Sequence, residues 1–128
     1  MSSQSSVVVL LFSCLLFVAC QSSEPTAPPT PTLTAELAQG KRLFSQHCGS
    51  CHAIEADTVI VGPSLFAVAD RAKERAPDMT PQQYVELSIL QPEAILVPGY
   101  DNVMPTNFGT RLTGEELDAI VAYVMSLH

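Results

Sequence analysis

The chain has 128 residues, with 13 acidic and six basic side chains, a net charge of −7 and 47% hydrophobic residues. That length suits one core rather than two, and the acidic balance argues against nucleic acid as a partner, because phosphate is bound through Lys and Arg. The apolar share excludes disorder of the whole chain.

No charged side chain occurs in residues 1–20, and Val7–Ala19 is apolar apart from Ser13. As a helix those thirteen residues would cover about 20 Å, short of the ~30 Å hydrocarbon core, so the run fits a secretory h-region better than a membrane span. Ala19 followed by Cys20 resembles the end of a bacterial lipoprotein signal, although Phe17 and the absence of Lys or Arg before the run depart from that pattern. The resemblance implies removal of residues 1–19 and a diacylglyceryl group on Cys20. The alternative is an ordinary secretion signal or an uncleaved anchor. Residues 20–32 carry four prolines and no aliphatic side chain larger than alanine, so they predict an extended tether between the lipidation site and a domain spanning 33–128.

Four helices are predicted in that domain. Thr34 can cap a helix from Ala35 to about Gln46, with Leu37, Leu43 and Phe44 on one side. A second runs from Ser64 or Leu65 to about Arg75. Thr80-Pro81-Gln82-Gln83 forms a capping box for a third, with Met79 and Tyr84 placed for a staple, and Gln91-Pro92 ends it. Thr113-Gly114-Glu115-Glu116 opens the fourth, flanked by Leu112 and Leu117, with Ile120, Val121 and Val124 continuing the apolar stripe. The segment Val97–Arg111, with Pro98-Gly99 and Met104-Pro105, reads as a loop. No alternating strand pattern appears, so the fold class is all-α.

Between the first two helices stands Cys48-Gly49-Ser50-Cys51-His52. Two thiols three positions apart, followed at once by a histidine, is the spacing for attaching a c-type haem. Each cysteine adds across a vinyl group, and the histidine takes an axial position on the iron. A redox dithiol would follow a strand and open a helix, whereas here a helix precedes the pair. Structural zinc would need a fourth ligand, for which only His47 and His128 are available on the nitrogen side. A Cys48–Cys51 disulfide would close a very tight loop and leave His52 unexplained.

With this motif, and over roughly residues 33–128, the sequence resembles class I cytochromes c. Gly40 and Phe44 match the position where that family packs its first helix on its last, and Tyr123 matches the aromatic of the last helix. Gly62-Pro63-Ser64-Leu65 resembles the loop in which a proline carbonyl accepts the proximal histidine's ring N–H, which implies that Pro63 orients His52. Val103-Met104-Pro105 resembles the segment that carries the methionine ligand. Met104 is 52 residues beyond His52, in a proline-bounded loop outside any apolar stripe. Met1, Met79 and Met125 read as an initiator and ordinary apolar bulk.

The resemblance implies a small domain of about four helices around one covalent haem c, with Cys48 and Cys51 as attachment points and His52 and Met104 as iron ligands. Leu65, Phe66, Leu96, Val97 and Phe108 are candidate walls, His47 a partly exposed helix-end residue, and His128 solvated. Two filled axial positions leave none for substrate, so the expectation is an electron carrier and not an enzyme. It would sit on the extracytoplasmic, periplasmic face of a bacterial membrane, held there by the Cys20 lipid. The family implies a quinol-oxidising complex as donor and a terminal oxidase or photosynthetic reaction centre as acceptor. The alternatives are a fixed haem subunit of a larger membrane oxidoreductase, which would co-purify at fixed stoichiometry, and a haem peroxidase or reductase, which would bind CO tightly without modification.

Overall fold

The computed structural model describes residues 34–128; the signal sequence, Cys20 and the proline-rich tether lie outside the described residues. Five helices occur there, α1 (Ala35–His47), α2 (Val68–Arg75), α3 (Pro81–Leu90), α4 (Phe108–Arg111) and α5 (Gly114–Met125), and no strand is found among these residues. The all-α expectation holds.

Helix starts follow local chemistry. The Thr34 hydroxyl accepts from the Leu37 N–H, while Thr80 with Gln83 and Thr113 with Glu116 form complete capping boxes. Each box satisfies two backbone donors that the first turn would otherwise leave unpaired. Glu115 and Glu116 also stand at the positive end of α5. Thr113→Ala is therefore expected to lower the unfolding free energy by about 1 kcal/mol. A denaturant midpoint equal to that of the unaltered protein would contradict it.

The α5 stripe is buried as predicted, with Ile120 and Val124 at its centre. It packs on α1, α2 and α3, and α3 packs in turn on α2 and α4. The closest approach is between α1 and α5. A Cβ at Gly40 would lie 1.9 Å from the Ala119 carbonyl oxygen and 2.7 Å from the Tyr123 Cβ. Only the absence of a side chain lets these backbones meet, and next to this point the Phe44 and Tyr123 rings pack tilted at 5.5 Å.

Two boundaries differ from the sequence expectation. Helix α2 begins at Val68 because Ala67 adopts a left-handed conformation (φ 49°). Ahead of it the Phe66 N–H goes to the Ser64 hydroxyl and the Ala67 N–H to the Leu127 carbonyl, so the segment's donors are spent outside a helix. The loop 97–111 contains the one-turn helix α4, which buries Phe108 and is closed by Thr110 N–H and hydroxyl bonds to the Asn107 carbonyl. A single turn is too short to show a periodic pattern.

Candidate cofactor site

The end of α1 builds the first wall of the site. The Cys48 and Gly49 amides both bond the Phe44 carbonyl, and the Cys51 and His52 amides both bond the Cys48 carbonyl. The Cys-X-X-Cys-His segment thus forms a compact turn, presenting Cys48, Cys51 and His52 to one cleft. Opposite stretches of chain supply the rest of its lining. Val68, Val85, Ile89, Phe108, Ile120 and Val124 form a buried apolar floor, and the loop carrying Met104 closes another side. Val61, Leu96 and Val103 line the cleft and are more than half or nearly half exposed, which makes its mouth apolar.

The loop 61–65 runs beside residues 51–55. The Val61 and Gly62 amides bond the Cys51 carbonyl at 3.2 and 2.9 Å, and the Leu65 amide bonds the Ala53 carbonyl at 2.8 Å. This brings the Pro63 carbonyl 2.8 Å from His52 Nδ1. The ring N–H is the donor, so Nδ1 carries the proton and Nε2 keeps a free lone pair. Gly62 makes the ring's seat: a Cβ there would stand 2.5 Å from Cε1 and 2.9 Å from Nδ1 of His52.

Cys48 and Cys51 are not bonded to each other, so the structure lends the disulfide alternative no support. Among the described residues no group of three or more His, Cys, Asp or Glu side chains can hold a metal ion, so nothing supports structural zinc. The pair follows a helix and opens none, unlike a redox dithiol. Burial, with the neighbouring Cys51 second, pushes the Cys48 thiol up to about 11. Burial thus favours its neutral S–H form in the cleft.

Of the wall residues expected from sequence, Leu65, Leu96, Val97 and Phe108 line the cleft. Phe66 does not, and is corrected: residues 64–67 form a turn ahead of α2 instead of helix, with Ala67 left-handed, and Phe66 does not share the side that Leu65 presents to the cleft. His47 was expected at the helix end; it lies there half-buried but also lines the cleft, its ring edge-on to Phe108 at 6.4 Å. The Arg111 guanidinium lies 5.5 Å from the same Phe108 ring. Sequence reasoning missed Arg75 and Tyr84. Arg75 lines the cleft and donates to the Tyr84 hydroxyl at 3.2 Å, giving a mainly apolar cavity a cationic, hydrogen-bonding corner. Nothing in the local pattern distinguishes Arg75 from any basic residue in the last turn of a helix.

The cytochrome c family profile matches residues 37–128. The chain belongs to the cytochrome c family. No curated protein sequence matches it. The cofactor is covalently attached haem c, and Cys48 and Cys51 stand at the spacing for its two thioethers.

The cleft fits that group on its own chemistry. Two thiols, an imidazole with a free Nε2 and a thioether share one mainly apolar cavity, whose corner at Arg75 and Tyr84 suits a carboxylate. The role that follows for this cytochrome is haem-based electron transfer. Among the described residues no helix is long and apolar enough to cross a membrane.

Gly62→Ala tests the seat of His52. The added methyl must displace the ring and with it the 2.8 Å bond to Pro63. The expected result is a holoprotein less stable by about 1–3 kcal/mol, with shifted His52 ring resonances. A variant with wild-type resonances and stability would show that the ring has room the distances deny.

Proposed function

We propose that this cytochrome is a one-electron carrier whose iron is held by His52 and Met104, tethered through a lipid on Cys20 to the extracytoplasmic face of a bacterial membrane. One observation carries the ligand assignment. His52, its Nδ1 committed to Pro63, and Met104, half-buried against the core, line the same apolar cleft.

Haem, when bound, supplies an iron that alternates between ferric and ferrous states. Everything else falls to the chain. The Pro63 carbonyl fixes the tautomer of His52 and makes its free nitrogen a better donor. Met104 offers a soft sulfur, which favours the ferrous state and raises the potential. The floor built by Ile120, Val124 and Phe108 keeps water from the reacting centre and lowers the local dielectric. With His52 and Met104 both holding the iron, neither side chain would have to leave for an electron to pass. Arg75 and Tyr84 orient an anionic edge within the cleft.

A two-chain lipid on Cys20 would anchor the protein stably, and residues 21–32 would let the domain range near membrane-bound partners at high local concentration. A quinol-oxidising complex and a terminal oxidase or reaction centre are the proposed donor and acceptor. The test is spectroscopic, with mass measurement of the mature N-terminus. A sharp reduced α-band, a weak near-infrared methionine–iron band in the oxidised form and a diacylglyceryl-modified Cys20 are expected. Loss of the near-infrared band would remove Met104 from the iron, and an unmodified N-terminus would remove the anchor.

A further inference from the structure

We propose that Arg71 is a positioning residue for the proximal histidine, holding the loop that aims the Pro63 carbonyl at the His52 ring. The proposal rests on the assignment of His52 as an iron ligand.

Pro63 has no N–H of its own, so the direction of its carbonyl depends on the residues around it. On the upstream side Gly62 is bonded to Cys51. On the downstream side the Ser64 hydroxyl donates to the Glu55 carbonyl at 2.7 Å and accepts from the Phe66 N–H at 3.1 Å. The Ser64 and Phe66 carbonyls lie ahead of α2, and Arg71 takes both. Nη2 donates to the Ser64 carbonyl at 2.6 Å and Nη1 to the Phe66 carbonyl. One rigid guanidinium thereby fixes two peptide planes at the first and third residues after Pro63.

Helix electrostatics do not account for a cation here. Arg71 is the fourth residue of α2, close to the positive end, where acidic side chains are favoured. Nor does an ion pair, since the salt bridge among the described residues joins Lys73 to Asp70. Arg71 is half-buried and does not line the cleft, so it acts through the loop and not by touching the cofactor. Side chains of a helix lean toward its N-terminus, which brings the guanidinium back over residues 64–66. Lysine would keep the charge there but lacks the planar fork that spans two carbonyls.

The experiment measures hydrogen exchange of the His52 Nδ1–H by NMR in the reduced holoprotein, against the Ile120 and Val124 amides in the α5 core. In Arg71→Lys the ring proton is expected to exchange at least ~tenfold faster than in the unaltered protein while the core amides keep their rates. Lys73→Met, which removes the exposed ion pair, should leave both unchanged. A wild-type His52 rate in Arg71→Lys overturns the proposal. So does equal acceleration of ring and core protons, because Arg71 would then serve general stability. Should Arg71→Lys not accumulate, Arg71→Gln, which retains one donor group, is read by the same ratio. Failure of the ligand assignment is recognisable separately: the unaltered protein would lack the porphyrin ring-current shift of the His52 ring protons, before any variant is made.

Discussion

Met104→Ala is expected to lower the reduction potential of the holoprotein by on the order of 0.1–0.3 V, within the ~0.8 V range over which axial ligands set haem potentials, and to let the ferrous form bind CO. The direction follows from ligand chemistry. A thioether is a soft, neutral donor that stabilises ferrous iron more than ferric, so its removal favours the oxidised state. The opening follows from the loop. Met104 is the one methionine on the cleft wall among the described residues, and alanine cannot reach the iron in its place. His47 also lines the cleft, from the end of α1, but its ring is engaged edge-on with Phe108. A potentiometric titration and a CO difference spectrum suffice. An unchanged potential together with no CO binding would show that another group caps the iron.

Gly40→Ala is expected to cause the largest loss of stability, about 3 kcal/mol or more, in a domain whose total is on the order of 5–15 kcal/mol. The new methyl would meet the Ala119 carbonyl oxygen at 1.9 Å. That atom belongs to the backbone of α5 and cannot rotate aside, so the α1–α5 contact must open. Opening it separates Phe44 from Tyr123 and disturbs the floor of the cleft, since Ile120 and Val124 project from the same helix. Chemical denaturation of the holoprotein should show a lower midpoint, with a weakened methionine–iron band as the floor shifts. A midpoint within error of the unaltered protein would mean that the helices part at little cost.

The helix ends were legible in the sequence because capping is local. Thr80 with Gln83 and Thr113 with Glu116 satisfy each other within one turn, whatever the rest of the chain does. The α5 stripe was legible for a similar reason, since 3.6-residue periodicity records which face is buried. The start of α2 was not. Ser64 and Leu65 belong to a plausible helical pattern, and only the competition of Leu127, Ser64 and Arg71 for the backbone groups of residues 64–67 delays the helix to Val68. Phe66 was misplaced as a wall residue through the same turn.

The attachment motif is likewise a local fact, because two thiols and an imidazole within five residues need no tertiary contact to stand together. The sequence by itself therefore determined the cofactor chemistry, the helical class and the points where most helices begin. Pro63 and Met104, eleven and 52 residues from His52, could be nominated only by resemblance to a family. Tertiary structure alone decided that Pro63 meets Nδ1 at 2.8 Å, that Met104 shares the histidine's cleft, and that Arg75 and Tyr84 furnish its polar corner. The difference is one of range. A hydrogen bond between neighbours is encoded in their spacing, whereas a contact across the chain exists only once α1 and α5 close over Gly40 and the loops are held in register around them.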